Sequence, residues 1–308
     1  MIPILFAGHS DDWPTYERPL DDAFAAAGIA ADITPEIAPE IAQYLIYAPN
    51  SAYRDFNQFP RAKAVLNLWA GVEDLIGNRT LNVPLCRMVE PGLTEGMVEW
   101  VTGMVLRHHL AIDRYVMSEA GWDPIYPPLA RDRTVGILGL GELGAACGGA
   151  LASLNFRVMG WSRTIKTFGG IETFAGDEGL VRVLKNAEIL VLLLPLTPST
   201  ESVIDAAALA LMRDGAVLIN PGRGALIDDT ALLSALDHGR LTHATLDVFR
   251  TEPLSADHPY WRHPRVTVTP HVASATRPDT AARAIAENVR RGEAGEPYLG
   301  LVDRSLMY

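Results

Sequence analysis

The stretch TVGILGLGELG, residues 134–144, decides the fold of this chain. It begins as a continuous apolar run, which is typical of a strand that is covered on both faces in a parallel sheet. The hexamer GLGELG at 139–144 then supplies the spacing G-x-G-x-x-G, and a helix rich in small residues follows at 142–154. A strand, a glycine turn and a helix in this order predict a dinucleotide-binding βα unit.

Each glycine of the hexamer has a physical role in such a unit. Gly139 allows the tight turn, Gly141 lets the backbone approach a pyrophosphate, and Gly144 lets the helix pack closely on the strand. The first turn of the helix, which contains Glu142 and Leu143, offers free N–H groups and the positive end of the helix dipole to the phosphates. A glycine-rich turn without a ligand is the weaker interpretation, because the context of the motif is complete.

Working outward, short apolar strands alternate with helical patterns on both sides of this stretch. The predicted strands before it lie at 2–8, 44–49, 64–71 and 83–89, with a helix at 20–28, and those after it lie at 156–161, 188–195, 216–222, 244–249 and 265–271, with helices at 179–187, 205–212 and 229–239. Such alternation indicates parallel sheets in an α/β fold.

A long helix joins the two series of strands. It is predicted from about Thr94, as a possible N-cap, to Glu119, and Gly121 and a proline-rich loop at 122–130 end it. A last helix, 278–291, returns to the first series. The sequence therefore predicts two doubly wound (Rossmann/flavodoxin-like) domains, with the cofactor domain inserted in the substrate domain. The expected division is 1–98 plus 276–308 for the substrate-binding domain and 99–275 for the dinucleotide-binding domain.

The composition limits the classes of function. The chain has 308 residues, is 48% hydrophobic and 20% charged, and carries a net charge of −11, which suits a two-domain globular protein and disfavours nucleic-acid binding. Its longest apolar run, 189–196, is too short to span a membrane, and no signal peptide is recognisable. Cys86 and Cys147 show no metal-binding spacing. We therefore expect a cytoplasmic protein without a metal site.

The segment MGWSRTIK, residues 159–166, bears on the choice of cofactor. NAD-binding Rossmann domains place an acidic residue about 20 residues after the glycines, whereas this chain has Ser162, Arg163 and Lys166 there. A carboxylate would repel a 2′-phosphate, whereas a guanidinium pairs with it. The pattern predicts a preference for NADPH with NADH as a possible substitute, although Arg163 and Lys166 could also be solvated surface charges.

Three segments that follow strands carry candidate catalytic residues. Arg223 lies in NPGRG, Glu252 in LDVFRTEPL, and His271 in TPHVA. In an open α/β sheet, ligands bind beyond the carboxyl ends of the strands, where all three would meet. Hydride attack on a ketone needs a proton donor, which histidine supplies near neutral pH, and a carboxylate fixes its tautomer. Arginine can hold the carboxylate of a 2-oxoacid and polarise its ketone.

Taken together, GLGELG, NPGRG, LDVFRTEPL and TPHVA resemble the D-isomer-specific 2-hydroxyacid dehydrogenases in order and spacing over essentially the whole chain. WSRTIK, the stretch 260–278 and the tail 302–308 are most similar to the NADPH-preferring glyoxylate/hydroxypyruvate reductase A subgroup. The resemblance implies reduction of small 2-oxoacids to D-2-hydroxy acids, with Arg223, Glu252 and His271 as the catalytic set.

The resemblance also implies further site residues. Backbone amides of Ala70 and Gly71 would hold the substrate carboxylate, and Asp247 would lie near the nicotinamide carboxamide. The loop residues Leu194, Pro195 and Leu196 would line the cofactor. Family members are homodimers, and the long helix with the loop after it would help join the subunits.

Three other features of the resemblance leave the substrate open. Trp69 stands where many relatives have a small residue, so it would narrow the pocket or stack on a substrate. Arg277 would add positive charge at the pocket, or it would be an exposed charge. Pro221 and Gly222 replace the pair of residues that is commoner in relatives.

Two alternatives remain beside the reductase hypothesis. The same fold serves as an NAD(H)-sensing corepressor that binds peptides, but neither a basic patch nor a regulatory tail supports this. The other keeps the enzyme class and changes the substrate to a bulkier 2-oxoacid, phosphoglycerate or formate. Formate enzymes carry Gln where this chain has Glu252, and phosphoglycerate enzymes usually carry a further regulatory domain.

Overall fold

The structure, a computed structural model, describes residues 1–116 and 122–307. The chain forms two compact units. Unit 1 comprises Met1–Leu93 with Ala275–Tyr308, and unit 2 comprises Thr94–Ser274. These divisions lie a few residues from the boundaries expected at 98/99 and 275/276.

Unit 1 is built on a sheet of five parallel strands in the order β2-β1-β3-β4-β5. The strands are β1 (Ile2–Ala7), β2 (Ala31–Thr34), β3 (Tyr44–Tyr47), β4 (Ala64–Asn67) and β5 (Leu85–Cys86). The helices that belong wholly to this unit are α1 (Trp13–Ala26), α2 (Glu73–Ile76) and α9 (Pro278–Ala294). The order 2-1-3-4-5 is the flavodoxin-like form of a doubly wound sheet.

Unit 2 contains a sheet of seven parallel strands in the order β12-β11-β10-β9-β6-β7-β8. The strands are β6 (Thr134–Leu138), β7 (Arg157–Trp161), β8 (Ile171–Phe174), β9 (Ile189–Leu192), β10 (Ala216–Asn220), β11 (Leu241–Leu246) and β12 (Val266–Val268). The helices are α3 (Pro91–His109), which begins just before the division, α4 (Asp113–Val116), α5 (Glu142–Ser153), α6 (Gly176–Asn186), α7 (Ala206–Leu211) and α8 (Asp229–Asp237).

The strand order of unit 2 is the Rossmann order with one added strand, since β7 and β8 lie on one side of β6 and β9 to β12 lie on the other side. The order reverses between β6 and β9, and the crevice at such a switch point is where doubly wound sheets bind their ligands. The predicted class, two doubly wound α/β sheets, is confirmed.

Both sheets are buried on two faces, which explains their apolar strands. In unit 2, Leu190 and Leu218 pack with α7 and α8 on one face, while Ile137 and Val191 pack with α3 and α5 on the other. In unit 1, α1 and α9 cover one face, and residues including Phe56 cover the second. Each unit therefore holds its strand ends in place with its own core.

The long helix predicted from Thr94 to Glu119 is wrong at both ends. The helix begins at Pro91, and its first N–H groups are capped by Glu90, whose carboxylate accepts from Gly92 and Leu93 at 2.6 Å each. It ends at His109, and Ala111, with φ of 52°, separates it from the short α4. A left-handed alanine leaves no sequence signal of the glycine kind. Glu119 and Gly121 lie outside the described residues.

Other boundaries also differ from the predictions. Helix α1 begins at Trp13 rather than at residue 20, α6 begins at Gly176 rather than at 179, and α9 runs to Ala294, where Gly295 at φ of 70° ends it. Strand β11 ends at Leu246, so residues 247–249 belong to the following turn. Strands β2 and β8 were not predicted, since both are half-exposed edge strands without a continuous apolar run.

Candidate active site

The glycine turn after β6 shows why each of its glycines is needed. Gly139 has φ of 105°, and a Cβ there would lie 2.5 Å from the carbonyl of Leu193, which follows β9. A Cβ on Gly144 would lie 1.8 Å from the Gly139 carbonyl oxygen, so α5 packs directly on the turn. At Gly141, the N-cap of α5, a Cβ would meet nothing within 4 Å.

This turn fits a dinucleotide. The open space over Gly141 lies against the N-terminus of α5, whose first amides, including those of Glu142 and Leu143, have no carbonyl of their own helix to bind. Free N–H groups and the helix dipole together favour the negative charge of a pyrophosphate. The residues present therefore fit the pyrophosphate of a dinucleotide.

The three polar residues of the segment after β7 differ in burial and in hydrogen bonding. Ser162 is buried, and its hydroxyl donates to the carbonyl of Thr164 at 2.8 Å, which shapes the turn. Arg163 is exposed next to it. The Lys166 ammonium donates to the carbonyl oxygen of Leu140 at 2.7 Å, within the glycine turn itself. Lys166 therefore ties the segment after β7 to the segment after β6.

The loop after β9 lies beside Gly139 and is fixed by its own hydroxyl groups. Thr200 donates to the carbonyl of Pro195 at 2.7 Å and accepts from the Thr197 N–H at 2.8 Å. The side chain of Leu194 is buried in the core, whereas Leu196 is partly buried. The backbone of the loop after β9 is therefore held in place where it lines the switch point.

His271 and Glu252 form a direct pair at the strand ends of unit 2. Nδ1 of His271 lies 2.7 Å from one Glu252 carboxylate oxygen, and the other accepts the N–H of Phe249 at 2.9 Å. The His271 backbone has φ of 54° and donates to the Asp247 carbonyl at 2.8 Å. The side chain of His271 is 51% exposed, so Nε2 can reach a ligand while Glu252 holds the other ring nitrogen.

Asp247 braces the turn that carries His271. Its carboxylate is fully buried and accepts from the hydroxyl of Thr269 at 2.6 Å and from the amides of Val272 and Ala273 at 2.9 Å. These three donors come from both sides of His271 along the chain. In the described structure the carboxylate therefore serves the histidine turn, a role that sequence analysis did not foresee.

Arg223 lies in a turn that a buried asparagine organises. Asn220, the last residue of β10, accepts the Gly222 N–H at 3.0 Å and donates to the carbonyl of Arg223 at 2.8 Å. A Cβ on Gly224 would lie 1.9 Å from the carbonyl carbon of Phe249. The turn of Arg223 thus rests directly on the loop that leads to Glu252.

The three predicted catalytic residues therefore follow three adjacent strands, β10, β11 and β12, and their turns contact one another. The Asp247 N–H donates to the Asn220 carbonyl at 3.0 Å, which adds a second link between the first two turns. Arg250 adds a third contact, because its guanidinium donates to the Ile227 carbonyl at 2.7 Å and to the Ser202 hydroxyl at 2.6 Å.

Unit 1 carries the other predicted substrate residues. Asn67, the last residue of β4, donates to the carbonyls of Trp69 and Gly71 at 2.8 and 2.9 Å. In the part of the chain that the structure describes, the N–H groups of Ala70 and Gly71 have no hydrogen-bond partner. The ring of Trp69 is exposed, so the loop offers two amides and one large apolar side chain.

Arg277 lies at the N-terminus of α9 in unit 1. Its backbone N–H lies 3.4 Å from a Glu90 carboxylate oxygen, its side chain packs where a Cβ on Gly92 would stand, and the residue is exposed. This position places a positive charge at the surface beside the start of α3.

The predicted site residues do not include three whose side chains hold the loops of the site in place: Asn67, Asn220 and Arg250. For the two asparagines a signal existed, since asparagine is disfavoured in strands and each ends a run of buried apolar residues just before a loop containing glycine. Arg250 had none, because its partners lie far away in the chain.

The described residues offer neither a metal site, nor a membrane span, nor a reactive thiol. Among residues 1–116 and 122–307, no group of three or more His, Cys, Asp and Glu side chains is arranged to hold a metal ion. Within the same ranges, none of the helices has the length and apolar character needed to cross a bilayer. Cys86 and Cys147 are free thiols whose burial raises each pKa to about 12, so neither is a reactive thiolate.

Known proteins share this sequence pattern. The D-isomer-specific 2-hydroxyacid dehydrogenase NAD-binding domain matches residues 101–273. A Serratia proteamaculans protein named glyoxylate/hydroxypyruvate reductase A is 40% identical over 257 residues, covering 80% of this chain and 82% of that protein. A Yersinia enterocolitica protein of the same name is 38% identical over 250 residues, covering 78% and 80%.

Solved structures share the fold over the full length. A D-isomer-specific 2-hydroxyacid dehydrogenase from Xanthobacter autotrophicus, in complex with NADPH and MES, superposes with a TM-score of 0.91 at 38% identity, covering 100% of this chain and 99% of that one. An NADPH-dependent glyoxylate/hydroxypyruvate reductase from Sinorhizobium meliloti, in complex with NADP and sulfate, superposes with a TM-score of 0.90 at 32% identity, covering 100% of both. With its glycine turn and its length matched in this way, the chain belongs to the D-isomer-specific 2-hydroxyacid dehydrogenases and is an oxidoreductase that uses a nicotinamide cofactor.

Proposed function

We propose that this enzyme reduces small 2-oxoacids, such as glyoxylate and hydroxypyruvate, to D-2-hydroxy acids with NADPH, and that His271 is the proton donor. The observation that carries the proposal is the 2.7 Å contact between His271 and Glu252, beside the turn of Arg223. The names of the relatives from Serratia and Sinorhizobium support the same substrate class.

The proposed chemistry assigns one task to each side chain. The reduced nicotinamide, when bound, supplies a hydride to the carbonyl carbon of the substrate. Nε2 of His271 gives its proton to the carbonyl oxygen, on which alkoxide charge develops. Glu252 holds the proton on Nδ1 and stabilises the imidazolium form before the transfer.

The acid group of the substrate would be held by a guanidinium and by backbone amides. Arg223 offers planar donors that match a carboxylate and also polarise the neighbouring ketone. Ala70 and Gly71 offer two N–H groups without partners among the described residues. We assign to Trp69 the role of limiting the size of the substrate. We assign to Arg277 the role of adding positive charge at the substrate pocket.

Replacing the proton donor tests this function. We expect His271→Ala to lower kcat on glyoxylate by at least about 100-fold, because general acid catalysis contributes this much, while the Kd of NADPH changes little. His238→Ala removes another exposed histidine, which contacts the Ser234 carbonyl on α8, and should leave kcat unchanged. Turnover of His271→Ala within about threefold of wild type would rule out His271 as the donor.

The cofactor preference rests on the segment after β7. Ser162 adds no charge there, Arg163 is exposed beside it, and no acidic residue occurs from 159 to 166. Unit 2 would bind the dinucleotide through Gly139 to Gly144 and the wall formed by Leu194, Pro195 and Leu196. Asp247 would act beside the nicotinamide through the turn it braces.

Arg163→Ala should lower kcat/KM for NADPH about tenfold or more and leave that for NADH nearly unchanged, since NADH lacks the 2′-phosphate. Arg157→Ala removes an exposed arginine at the opposite end of β7 and should change neither value. Equal losses with both cofactors for Arg163→Ala would contradict the proposed phosphate contact.

A panel of 2-oxoacids assayed with NADPH and NADH in parallel tests the substrate class and includes bulkier oxoacids. Reduction of glyoxylate or hydroxypyruvate is the expected result, with unit 1 supplying the substrate-binding loop. If none is reduced, the assignment as a 2-oxoacid reductase fails and the dinucleotide-sensing alternative gains support.

We also propose that the protein is a homodimer of the cytoplasm. Large apolar side chains stand exposed just after α4, with Trp122 at 98% and Tyr126 at 87%, which suits a surface that a second subunit covers. The double variant Trp122→Ser/Tyr126→Ser should elute as a monomer under light scattering, whereas Ile41→Ser, at an exposed position in unit 1, should stay dimeric. A monomeric wild-type protein would contradict the proposed dimer.

The proposed location in the cytoplasm is supported by the cysteines, since the two free thiols agree with a reducing compartment.

A further inference from the structure

We propose that Asn67 is a positioning residue for substrate binding, which turns the amides of the loop at 69–71 toward the substrate carboxylate. This rests on the proposed reduction of 2-oxoacids. Asn67 is 1% exposed at the end of β4. It acts through the backbone of the loop that follows it.

The contacts of Asn67 hold the loop at two points. Its side-chain amide donates to the carbonyl of Trp69 at 2.8 Å and to that of Gly71 at 2.9 Å. The Trp69 carbonyl also accepts the N–H of Met88 at 3.0 Å, from the segment after β5. Both carbonyls therefore face the interior of unit 1.

The geometry of the peptide unit converts this hold into an orientation of donors. In a planar trans peptide the C=O and the N–H point in opposite directions. Fixing the Trp69 carbonyl inward therefore directs the Ala70 N–H outward. The Gly71 N–H belongs to the next peptide, which Asn67 does not bind but which lies between the two residues whose carbonyls it holds. Neighbouring amides directed to one side form a concave site that favours anions.

Packing alone does not account for an asparagine at this position. Its side-chain oxygen is buried and has no hydrogen-bond partner among the described residues. A leucine, which has the same branching at Cγ but is larger, would bring no unpaired oxygen into the core. The two donated hydrogen bonds are what asparagine supplies and leucine does not, and both go to the substrate loop.

The test is the kinetics of Asn67→Leu on glyoxylate with NADPH. We expect the KM for glyoxylate to rise at least tenfold while the KM for NADPH stays within twofold of wild type. Asn288→Leu is the matched control, because Asn288 is also a buried asparagine of unit 1 and its side chain binds both backbone groups of Leu299, at 2.7 and 3.1 Å. It should lower the melting temperature and leave both KM values unchanged.

The outcomes separate positioning from stability. An unchanged KM for glyoxylate in Asn67→Leu, or the same rise in Asn288→Leu, would overturn the proposal. Asn67→Ser, which has a smaller side chain that cannot reach both carbonyls, provides the same kinetic test if the leucine variant does not fold. Failure of both variants to fold would assign Asn67 to stability and overturn the proposal. A wild-type protein that reduces no 2-oxoacid would overturn the proposed function first, before any variant is compared.

Discussion

Two buried asparagines, Asn67 in unit 1 and Asn220 in unit 2, occupy the same place in two different sheets. Each is the last residue of a central parallel strand, and each donates its side-chain amide to a carbonyl of the loop that follows. Both loops carry groups that we assign to the substrate carboxylate. The same local arrangement therefore organises a set of backbone donors in one unit and the turn of Arg223, which we propose to be catalytic, in the other.

The two sites differ in how completely the asparagine is satisfied. Asn220 both donates to the Arg223 carbonyl and accepts the Gly222 N–H, so its turn closes around it. Asn67 only donates, and its buried oxygen has no partner among the described residues. The difference indicates that Asn220 fixes the path of a turn, whereas Asn67 fixes the direction of carbonyls. Loss of the first should disturb catalysis, and loss of the second should disturb affinity.

The largest effect is expected from a change that displaces the unit-2 turn as a whole. In Gly224→Ala the new Cβ would lie 1.9 Å from the Phe249 carbonyl carbon, so the turn of Arg223 must move away from the loop of Glu252. We expect a loss of about 3 kcal/mol in the free energy of unfolding, the upper part of the usual range for overpacking, and about a 1000-fold lower kcat/KM.

Urea unfolding and steady-state kinetics of Gly224→Ala check this prediction. Gly149→Ala, at a helical glycine of α5 where a Cβ would meet nothing within 4 Å, is the control and should be as active as wild type. If Gly224→Ala kept wild-type activity, the contact between the two turns would not matter for catalysis.

Asn220→Leu is expected to have the next largest effect. It leaves the buried Gly222 N–H and the Arg223 carbonyl without their hydrogen-bond partner. The backbone of the turn is then no longer held in place, so the guanidinium of Arg223 is displaced. We predict about a 100-fold fall in kcat on glyoxylate, comparable to the loss of one electrostatic contact to the transition state. Asn67→Leu, in contrast, should act mainly on the KM for glyoxylate. An equal effect of both on KM alone would show that the two asparagines do the same work.

The sequence predicts the glycine turn well but misses two contacts of the candidate site that join residues far apart in the chain. The roles of Gly139 and Gly144 follow from a local spacing, which fixes the close backbone approaches seen in the structure. The bond from Lys166 to the Leu140 carbonyl joins residues far apart in the chain, so no pattern reports it. Nor does any pattern show that Asp247 braces the turn of His271.

The sequence also failed to predict two strands and the end of one helix. Strands β2 and β8 lie at sheet edges, where one neighbour is absent and side chains are partly exposed, so they lack the apolar run that marks the central strands. Helix α3 ends at a left-handed Ala111, a conformation set by its surroundings and not by its residue type. The central strands were predictable because burial dictates their composition.

A smaller effect should separate the two units by pH. Burial lowers the pKa of His108 to about 3 and that of His243 to about 4, and their rings pack 5.0 Å apart in unit 2. In the unfolded chain both titrate near 6.5, so as pH falls below about 6.5 the unfolded state takes up protons that the folded state refuses. Unit 2 is then destabilised by about 1 kcal/mol per histidine at pH 5.5 relative to pH 7.5.

The only histidine of unit 1, His9, is exposed at the surface. Hydrogen exchange at pH 5.5 and 7.5, corrected for intrinsic rates, should therefore show lost protection in peptides of unit 2 and little change in those of unit 1. In His243→Gln the loss of protection in unit 2 should shrink, because one of the histidines with a lowered pKa is gone. Equal acid sensitivity of both units would contradict the assignment to the histidine pair.

The smallest effect is expected from removing the Trp69 side chain, because the group of this residue that Asn67 holds is its backbone carbonyl. In Trp69→Gly the carbonyl that Asn67 and Met88 hold is still present, so the Ala70 N–H should keep its direction. We therefore expect the KM for glyoxylate to change less than about threefold, while kcat/KM for a bulkier oxoacid such as phenylpyruvate rises about fivefold, as is usual for relief of one apolar restriction. Kinetics with both substrates distinguish the roles. A tenfold loss of glyoxylate affinity would mean that the indole ring, and not the asparagine, holds the loop in place.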